Sequence, residues 1–382
     1  MPELIPVASD DAVVLRDALA RALDGGPAIG LGMLGGESTT VSEGVAVVIA
    51  TSGSTGVPKR VMLSAEALRA GAEATAARVG AGRWLLALPA SYVAGLQVLT
   101  RSILSGTEPN VLSGKFSPLA FAEATLSLVR EGGADDALFT SLVPAQLSTL
   151  LDAADETAVR ASLTAYSAIL VGGQALPEPI RERAAELGVR IVRTYGSSET
   201  SGGCVYNGIP LDTAAVRTVD GELQIAGPML ADGYLGDPER TDRIFVRDAH
   251  GIRWYRTGDL GIVEDGVVRV HGRADNVIVS GGINVSLDRV ERVVRNIPGL
   301  AGAVVVGIED PRWGEASVIV AARGEALRRT EAEQLEHARQ AVADGIGKHA
   351  RPARLILVDE IPTLASGKPD RETIRRAVAG PR

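Results

Sequence analysis

Thr51-Ser52-Gly53-Ser54-Thr55-Gly56-Val57-Pro58-Lys59 is the stretch whose reading decides the fold. It gathers hydroxyls, glycines and one lysine into a short loop. The apolar run ahead of it, Val45-Ala46-Val47-Val48-Ile49-Ala50, reads as a buried parallel strand. Beyond it a helical pattern opens near Ser64, a residue suited to an N-cap, with Glu66 in the first turn. Strand, Gly/Ser/Thr loop and helix together make a phosphate cradle. The glycines let backbone N–H groups approach phosphate oxygens, the hydroxyls donate further hydrogen bonds, and the lysine supplies charge. The pattern is not that of the common P-loop, which needs Gly directly before Lys and Ser or Thr directly after. Here Pro58 precedes Lys59 and Arg60 follows it. The competing reading is a flexible Ser/Gly linker, and the preceding strand and closing Pro-Lys argue against it.

The chain around this loop has 382 residues, enough for two or three domains. With 46% hydrophobic residues it can bury sizeable cores. A formal charge of −8 makes nucleic acid or an anionic membrane a poor main partner, while leaving room for a local basic phosphate site. Cys204 is the only cysteine, which excludes intrachain disulfides and a cysteine-rich zinc site. The first eleven residues have no basic, then apolar, leader pattern, and no apolar run approaches a membrane span, so a soluble cytoplasmic protein is expected. Of 39 basic side chains only Lys59, Lys115, Lys348 and Lys368 are lysines. Lys59 and Lys368 sit in Gly/Pro-rich loops, where a compact point charge is the use that distinguishes Lys from Arg. Chance placement is the better reading for Lys115 and Lys348.

Short apolar runs alternate with helical patterns over residues 45–193, which predicts parallel α/β layering. Residues 194–272 turn Gly-rich with short strands and read as a β-rich subdomain. A third pattern follows: a helix over 287–296, strands at 303–306 and 317–320, a helix over 331–342, a strand at 354–357 and a helix near Arg371. That is a small α+β domain.

Further stretches suit a nucleotide site. Leu170-Val171-Gly172-Gly173-Gln174 is a strand entering a Gly-Gly turn where backbone can lie close to a flat ring, or it is a plain turn. In Thr194-Tyr195-Gly196-Ser197-Ser198-Glu199-Thr200 the tyrosine can stack on a base and Glu199 can serve Mg2+ as a hard oxygen ligand. Asp259, in Tyr255-Arg256-Thr257-Gly258-Asp259-Leu260, is placed to accept both hydroxyls of a ribose, or is a surface turn acid. Lys368, in Ala365-Ser366-Gly367-Lys368-Pro369-Asp370-Arg371, is a functional loop-tip lysine or a solvated one.

In this order and spacing the motifs resemble the acyl-adenylate-forming superfamily of acyl-CoA ligases, peptide-synthetase adenylation domains and luciferases. The resemblance runs from about Val45 to Arg371 through TSGSTGVPK, YGSSET, GELQIAGPMLADGYL, RTGDLG, GRADNVIVSGGINVSLDRVE and SGKPDR. It implies a large N-terminal α/β domain with a β-rich subdomain over residues 1–273 and a small mobile C-terminal α+β domain over 274–382. It further implies ATP, Mg2+ and coenzyme A as cofactors and a small-molecule carboxylic acid as substrate, and it allows a homodimer. Carried onto this sequence, Thr51, Ser52, Gly53, Ser54, Thr55, Gly56 and Lys59 wrap the β- and γ-phosphates. Gly172, Gly173, Gln174 and Tyr195 enclose the adenine, with Gly196 and Ser198 beside them. Asp259 holds the ribose, Arg273 lies near the nucleotide, and Glu199 coordinates Mg2+. Lys368 bridges the reacting carboxylate and the α-phosphate. Asp275 is the hinge on which the small domain turns, and Gly281 and Gly282 then line a tunnel for pantetheine; the bland reading of these glycines is an ordinary strand-to-helix turn.

Within the superfamily, Leu88-Pro89-Ala90-Ser91-Tyr92-Val93-Ala94-Gly95 offers no acid for a substrate amine, and the chain ends shortly after Lys368. Both features favour free CoA over a carrier domain as the acceptor. Residues 140–147 and 201–206 resemble o-succinylbenzoate–CoA ligases of menaquinone synthesis. Tyr92, Ser201 and Gly202 are then expected at the acid, and Arg101 is the expected anchor for a second carboxylate, since a guanidinium fork suits one. The alternative for Arg101 is a solvent-facing helix arginine. Tyr92 stands where the family usually has histidine, Ser198 where it has threonine, and the early position of the phosphate loop implies that most of the usual N-terminal subdomain is missing. Rivals to this reading are another aryl- or fatty-acyl-CoA ligase and a non-catalytic nucleotide-binding scaffold.

Overall fold

The first helix is fixed by its cap: the Asp11 carboxylate accepts from the N–H groups of Val13 and Val14, and Ala12–Leu23 follows with Leu15 and Leu19 fully buried. The structure, a computed structural model, describes residues 2–7, 11–32, 40–51, 59–133, 136–323, 330–364 and 367–379. It is a mixed α/β protein, with four sheets among the described residues.

The first sheet runs Leu4–Val7, Ala28–Leu31, Val45–Thr51, Lys59–Ser64, Gly233–Tyr234. Its first three strands are parallel. The strand expected from residue 45 is present and buried, but its outer neighbour corrects the local picture. Lys59–Ser64 pairs antiparallel with Val45–Thr51, with Thr51 opposite Lys59. The strands on either side of residues 52–58 therefore pair antiparallel with each other, in place of the expected strand-to-helix connection. Lys59 begins a strand because Val61 and Leu63, alternating with it, bury completely on one face. The helix starts only at Ala65–Val79, where Ser64 caps it as expected by accepting from the Ala67 N–H.

The second sheet carries seven strands in the order Ile209–Pro210, Gly202–Tyr206, Ile191–Ser197, Ala168–Val171, Leu138–Leu142, Arg83–Leu86, Asn110–Val111. The strands from Ile191–Ser197 onward are mutually parallel, as the alternating pattern predicts. The β-rich part is an antiparallel sheet of Ala215–Val219, Glu222–Ala226, Arg253–Glu264 and Phe245–Arg247, with Val267–Arg273 paired to Arg253–Glu264.

After residue 273 a separate sheet forms from Ile283–Ser286, Val277–Ser280, Gly314–Ala322 and Val304–Asp310, with Arg354–Val358 added parallel to Gly314–Ala322. Period-two alternation builds a core on each of its faces. Ile278, Val305 and Ile319 pack with Val290 and Val294 of the helix Leu287–Val294 and Val342 of Glu331–Gly345. Val304, Val306, Val318 and Val320 pack with Ile374 and Val378 of Arg371–Ala379. The hairpin Val277–Ser280/Ile283–Ser286 corrects the plain strand-to-helix reading of Gly281 and Gly282, which occupy its turn with φ of 58° and 81°. No helix among the described residues is long and apolar enough to cross a membrane.

Candidate active site

Glu199 sits on a single 3-10 turn, Ser198–Thr200, at the end of the strand Ile191–Ser197. The Thr200 hydroxyl accepts from the Ser197 N–H and so tightens the turn (2.8 Å). The carboxylate is 4% exposed. Its Oε1 receives Lys59 Nζ at 3.1 Å and the Tyr234 hydroxyl at 2.9 Å. Burial pushes its pKa up, but the Lys59 charge, a backbone N–H and the two side-chain hydrogen bonds together hold it below the ordinary carboxylate value. Burial, with Glu199 beside it, keeps the Tyr234 phenol protonated and hence a donor. Tyr234 escaped the sequence reading, although it lies inside the quoted GELQIAGPMLADGYL stretch. Thr51 and Lys59 flank the loop; Ser52, Gly53, Ser54, Thr55 and Gly56 lie outside the described residues.

Asp259 stands across from this pair on the long strand Arg253–Glu264. Its Oδ2 accepts from Tyr195 at 2.6 Å and its Oδ1 from Arg273 at 3.3 Å. Burial raises its pKa, against the pull of Tyr195 and Arg273. Arg273 also forks onto Asp275, at 2.8 and 3.0 Å, so the expected hinge residue is tied to the arginine that also reaches Asp259. Asp288, at the start of Leu287–Val294, braces the same segment by accepting from the Arg273 N–H and the Asn276 amide, both at 2.7 Å.

The small domain reaches into this cleft through Lys368. Its loop is drawn tight by Leu364 N–H to Lys368 O and Gly367 N–H to Leu364 O, each 2.8 Å. A Cβ built on Gly173 would stand 3.3 Å from Lys368 Cε, and one on Gly172 only 2.4 Å from Thr194 Oγ1. The Gly-Gly turn is thus bare on both counts, with Gly173 also at φ 84°. The Lys368 side chain is open to the cleft's solvent, yet the protein packed around it lowers its pKa from the usual value, against the attraction of Glu199 and Asp259 and with the repulsion of Arg273. Gln174 is half-buried beside the turn. Gly196 has a structural reason of its own, since a Cβ there would meet the Gly202 carbonyl at 2.0 Å. Ser198 is half-buried and gives its carbonyl to the Ser201 N–H.

The expected acid residues divide. Tyr92 is the N-cap of the helix Val93–Leu104, and its side chain makes no capping hydrogen bond. Ser201 is buried and donates to the Met229 carbonyl at 2.8 Å, and Gly202 faces the Gln97 side chain, 3.2 Å from its own missing Cβ. One turn beyond Gln97, Arg101 is 8% exposed, which removes the solvent-facing alternative. Its guanidinium lies 4.8 Å from the Trp84 ring centroid and donates to Thr75 Oγ1 at 3.3 Å. Thr75 also shares a hydrogen bond of 2.9 Å with Tyr206. No carboxylate among the described residues pairs with Arg101, and its Nε is a buried donor without an acceptor, as the Gln97 Oε1 is an acceptor without a donor. Burial lowers the pKa of this arginine.

Gly281 and Gly282 lie on the small domain's exposed hairpin, where the Gly281 N–H donates to the Trp313 carbonyl at 2.8 Å. A Cβ built on either glycine would have none of Lys59, Glu199, Asp259 or Lys368 within 4 Å. Among the described residues no group of three His, Cys, Asp or Glu side chains is assembled to hold a metal unaided.

Comparison with known proteins agrees with this arrangement. Residues 9–235 match the family described as AMP-binding enzyme, and residues 289–368 match its C-terminal domain. A probable 2-succinylbenzoate–CoA ligase of Mycobacterium tuberculosis is 39% identical over 348 residues, covering 89% of this chain and 86% of that one. The 2-succinylbenzoate–CoA ligase of Geobacillus kaustophilus is 29% identical, covering 88% and 70%. The o-succinylbenzoate CoA synthetase of Bacillus subtilis, solved in complex with its acyl-adenylate intermediate, superposes with a TM-score of 0.70 at 26% identity, covering 89% and 72%. A cleft shared by a large α/β part and a lysine-bearing small domain, matched over most of its length, makes this chain a member of the AMP-binding enzyme family.

Proposed function

We propose that this chain is an ATP-dependent acid–CoA ligase that works through an acyl-adenylate, with 2-succinylbenzoate as its acid. The observation that carries the reading is Lys368 of the small domain standing against Gly173, in the cleft that holds Glu199 and Asp259. In the first step a carboxylate oxygen attacks the α-phosphorus of ATP, the bond to pyrophosphate breaks, and acyl-AMP forms. Two anions must meet, and a preorganised ammonium lowers the energy of the charge that builds between them. In the second step the CoA sulfur attacks the acyl carbon, AMP leaves with the electron pair of the broken C–O bond, and the thiol proton passes to solvent.

The residue roles follow from the chemistry of the groups. Lys59 takes phosphate charge, Asp259 with Tyr195 takes the ribose, and the bare Gly172–Gly173 backbone lies against the base. Glu199 is ionised and both of its side-chain hydrogen bonds fall on Oε1, so its carboxylate fits a Mg2+ otherwise held by phosphate and water oxygens. Mg2+ bound there supplies Lewis-acid neutralisation of the phosphates. The second carboxylate of the acid pairs with Arg101, whose buried positive charge has no counter-ion among the described residues and whose Nε has no acceptor there. The hinge at Asp275 then divides residues 1–273 from 274–382, and rotation brings Gly281 and Gly282 to the pantetheine. The cytoplasm, where ATP and CoA occur together, is the compartment this chemistry asks for.

The test is mass-spectrometric detection of CoA thioesters with a panel of acids that includes 2-succinylbenzoate. Preference for that acid supports the reading; thioesters of fatty or simple aryl acids alone would replace the substrate, and no thioester from any acid would remove the activity. Asp259→Ala should raise the KM for ATP about 10- to 100-fold, the scale of hydrogen bonds to a charged group. An unchanged KM would count against ribose contact.

A further inference from the structure

Three charged side chains lie in a row where the small domain meets the large one away from the hinge. Arg371, three residues past Lys368, donates to Glu291 Oε2 at 2.6 Å and to the Val305 carbonyl at 2.8 Å. Glu291 also accepts the Val305 N–H at 2.9 Å and lies 3.8 Å from Arg295. Arg295 donates through Nε to the Ala301 carbonyl at 2.8 Å, and its NH1 crosses to the Ala175 carbonyl of the large domain at 3.4 Å. The next residue, Asn296, accepts the Glu178 N–H through its side chain at 3.3 Å. Glu178 opens the helix Glu178–Glu186, whose N-cap is Pro177 and has no side-chain cap of its own. The small domain thus supplies a helix-cap oxygen that the large one lacks.

Glu291 and Arg295 are each only 9% exposed. A buried charge row is poor value as glue, because desolvation offsets most of the attraction, and its best-attested use is to fix register. Here the register is specific. Ala175 and Glu178 follow directly on the Gly172–Gln174 turn against which Lys368 rests. Arg371 anchors the base of the Lys368 loop to the same carboxylate that orients Arg295. The contacts close a circuit: turn, Arg295, Glu291, Arg371, Lys368, turn.

We propose that Arg295, Glu291 and Arg371, with Asn296, form a clamp that registers Lys368 against the Gly172–Gln174 turn and acts in acid activation only. They are positioning residues, and the proposal rests on the two-step ligase reading. Any rotation that withdraws Lys368 must part Arg295 from Ala175 and Asn296 from Glu178, so these contacts belong to one pose.

The experiment compares Arg295→Ala, Arg295→Lys and Asn296→Ala with the parent chain in each half-reaction, and reads the interdomain distance from spin labels at Leu126→Cys and Glu336→Cys. Cys204 is buried with its thiol pushed up to about 12, so the labels go to the introduced pair. Arg295→Ala should lower the kcat of pyrophosphate–ATP exchange about tenfold, within the range expected when a reacting group is misplaced. KM values should hold, and CoA attack on supplied acyl-adenylate should be unchanged or faster. Arg295→Lys should recover part of the loss, Asn296→Ala should show a smaller loss of the same kind, and the distance distribution should broaden in Arg295→Ala. Equal loss in both half-reactions, or no loss, would overturn the clamp. If the parent chain catalyses neither half-reaction the ligase reading fails, and the distances decide the clamp alone: a narrow parent distribution that broadens in Arg295→Ala supports it, and identical distributions overturn it.

Discussion

Lys368→Ala should lose on the order of 10²–10³-fold of acid-dependent pyrophosphate–ATP exchange, the scale seen when one preorganised donor to a developing charge is removed. CoA attack on supplied acyl-adenylate should fall far less. The asymmetry follows from where the ammonium stands. It is close to Gly173 and within the fields of Glu199 and Asp259, the place the proposed reading gives to the meeting of carboxylate and phosphate. Its own position needs no neighbouring acid in direct contact, since no ion pair of Lys368 occurs among the described residues. The charge is therefore available to substrates. Measuring the two half-reactions separately checks this, and equal losses in both would remove Lys368 from the role.

Arg101→Met should abolish discrimination between 2-succinylbenzoate and an analogue that lacks the second carboxylate, costing the dicarboxylate about 10²-fold or more in kcat/KM. The same substitution should leave the unliganded protein as stable or stabler, by about 1 kcal/mol, because a desolvated charge is replaced by an apolar chain of similar length. Thr75 and Tyr206 keep each other as hydrogen-bond partners, so no new orphan is made. Opposite signs for function and melting temperature are what separate an anchor from a packing residue. Uniform loss with both acids, together with a lowered melting temperature, would make Arg101 structural.

Much of this site is legible in the chain because its chemistry is local. Ser64 announces a helix start, and Gly172-Gly173 a bare turn, through properties of one or two residues. What the sequence hides is set by partners far away. Nothing near Lys59 says that it begins a strand; that depends on pairing across the loop to Thr51. Arg101 lies on a helix of mixed composition, and only the packing of Trp84, Thr75 and Tyr206 around it makes it a buried cation. The Arg295–Glu291–Arg371 row left one visible trace. Leu287, Val290, Glu291 and Val294 share the buried stripe of one helix, and an acid in such a stripe signals a partner. The identity of that partner lies 80 residues away.

The ladder that sets Thr51 opposite Lys59 also makes the direction of the Lys59 ammonium, and with it the proposed grip on phosphate, a matter of parity. Lys59, Val61 and Leu63 share one face of their strand, and both aliphatic side chains are fully buried. A slip by a single position would swing the ammonium outward and expel both from the interior, at roughly 1.5–3 kcal/mol apiece. Insertions into residues 52–58 are therefore expected to bulge the loop and leave the strands in step, so that changes in its length alter nucleotide affinity while the lysine keeps its aim.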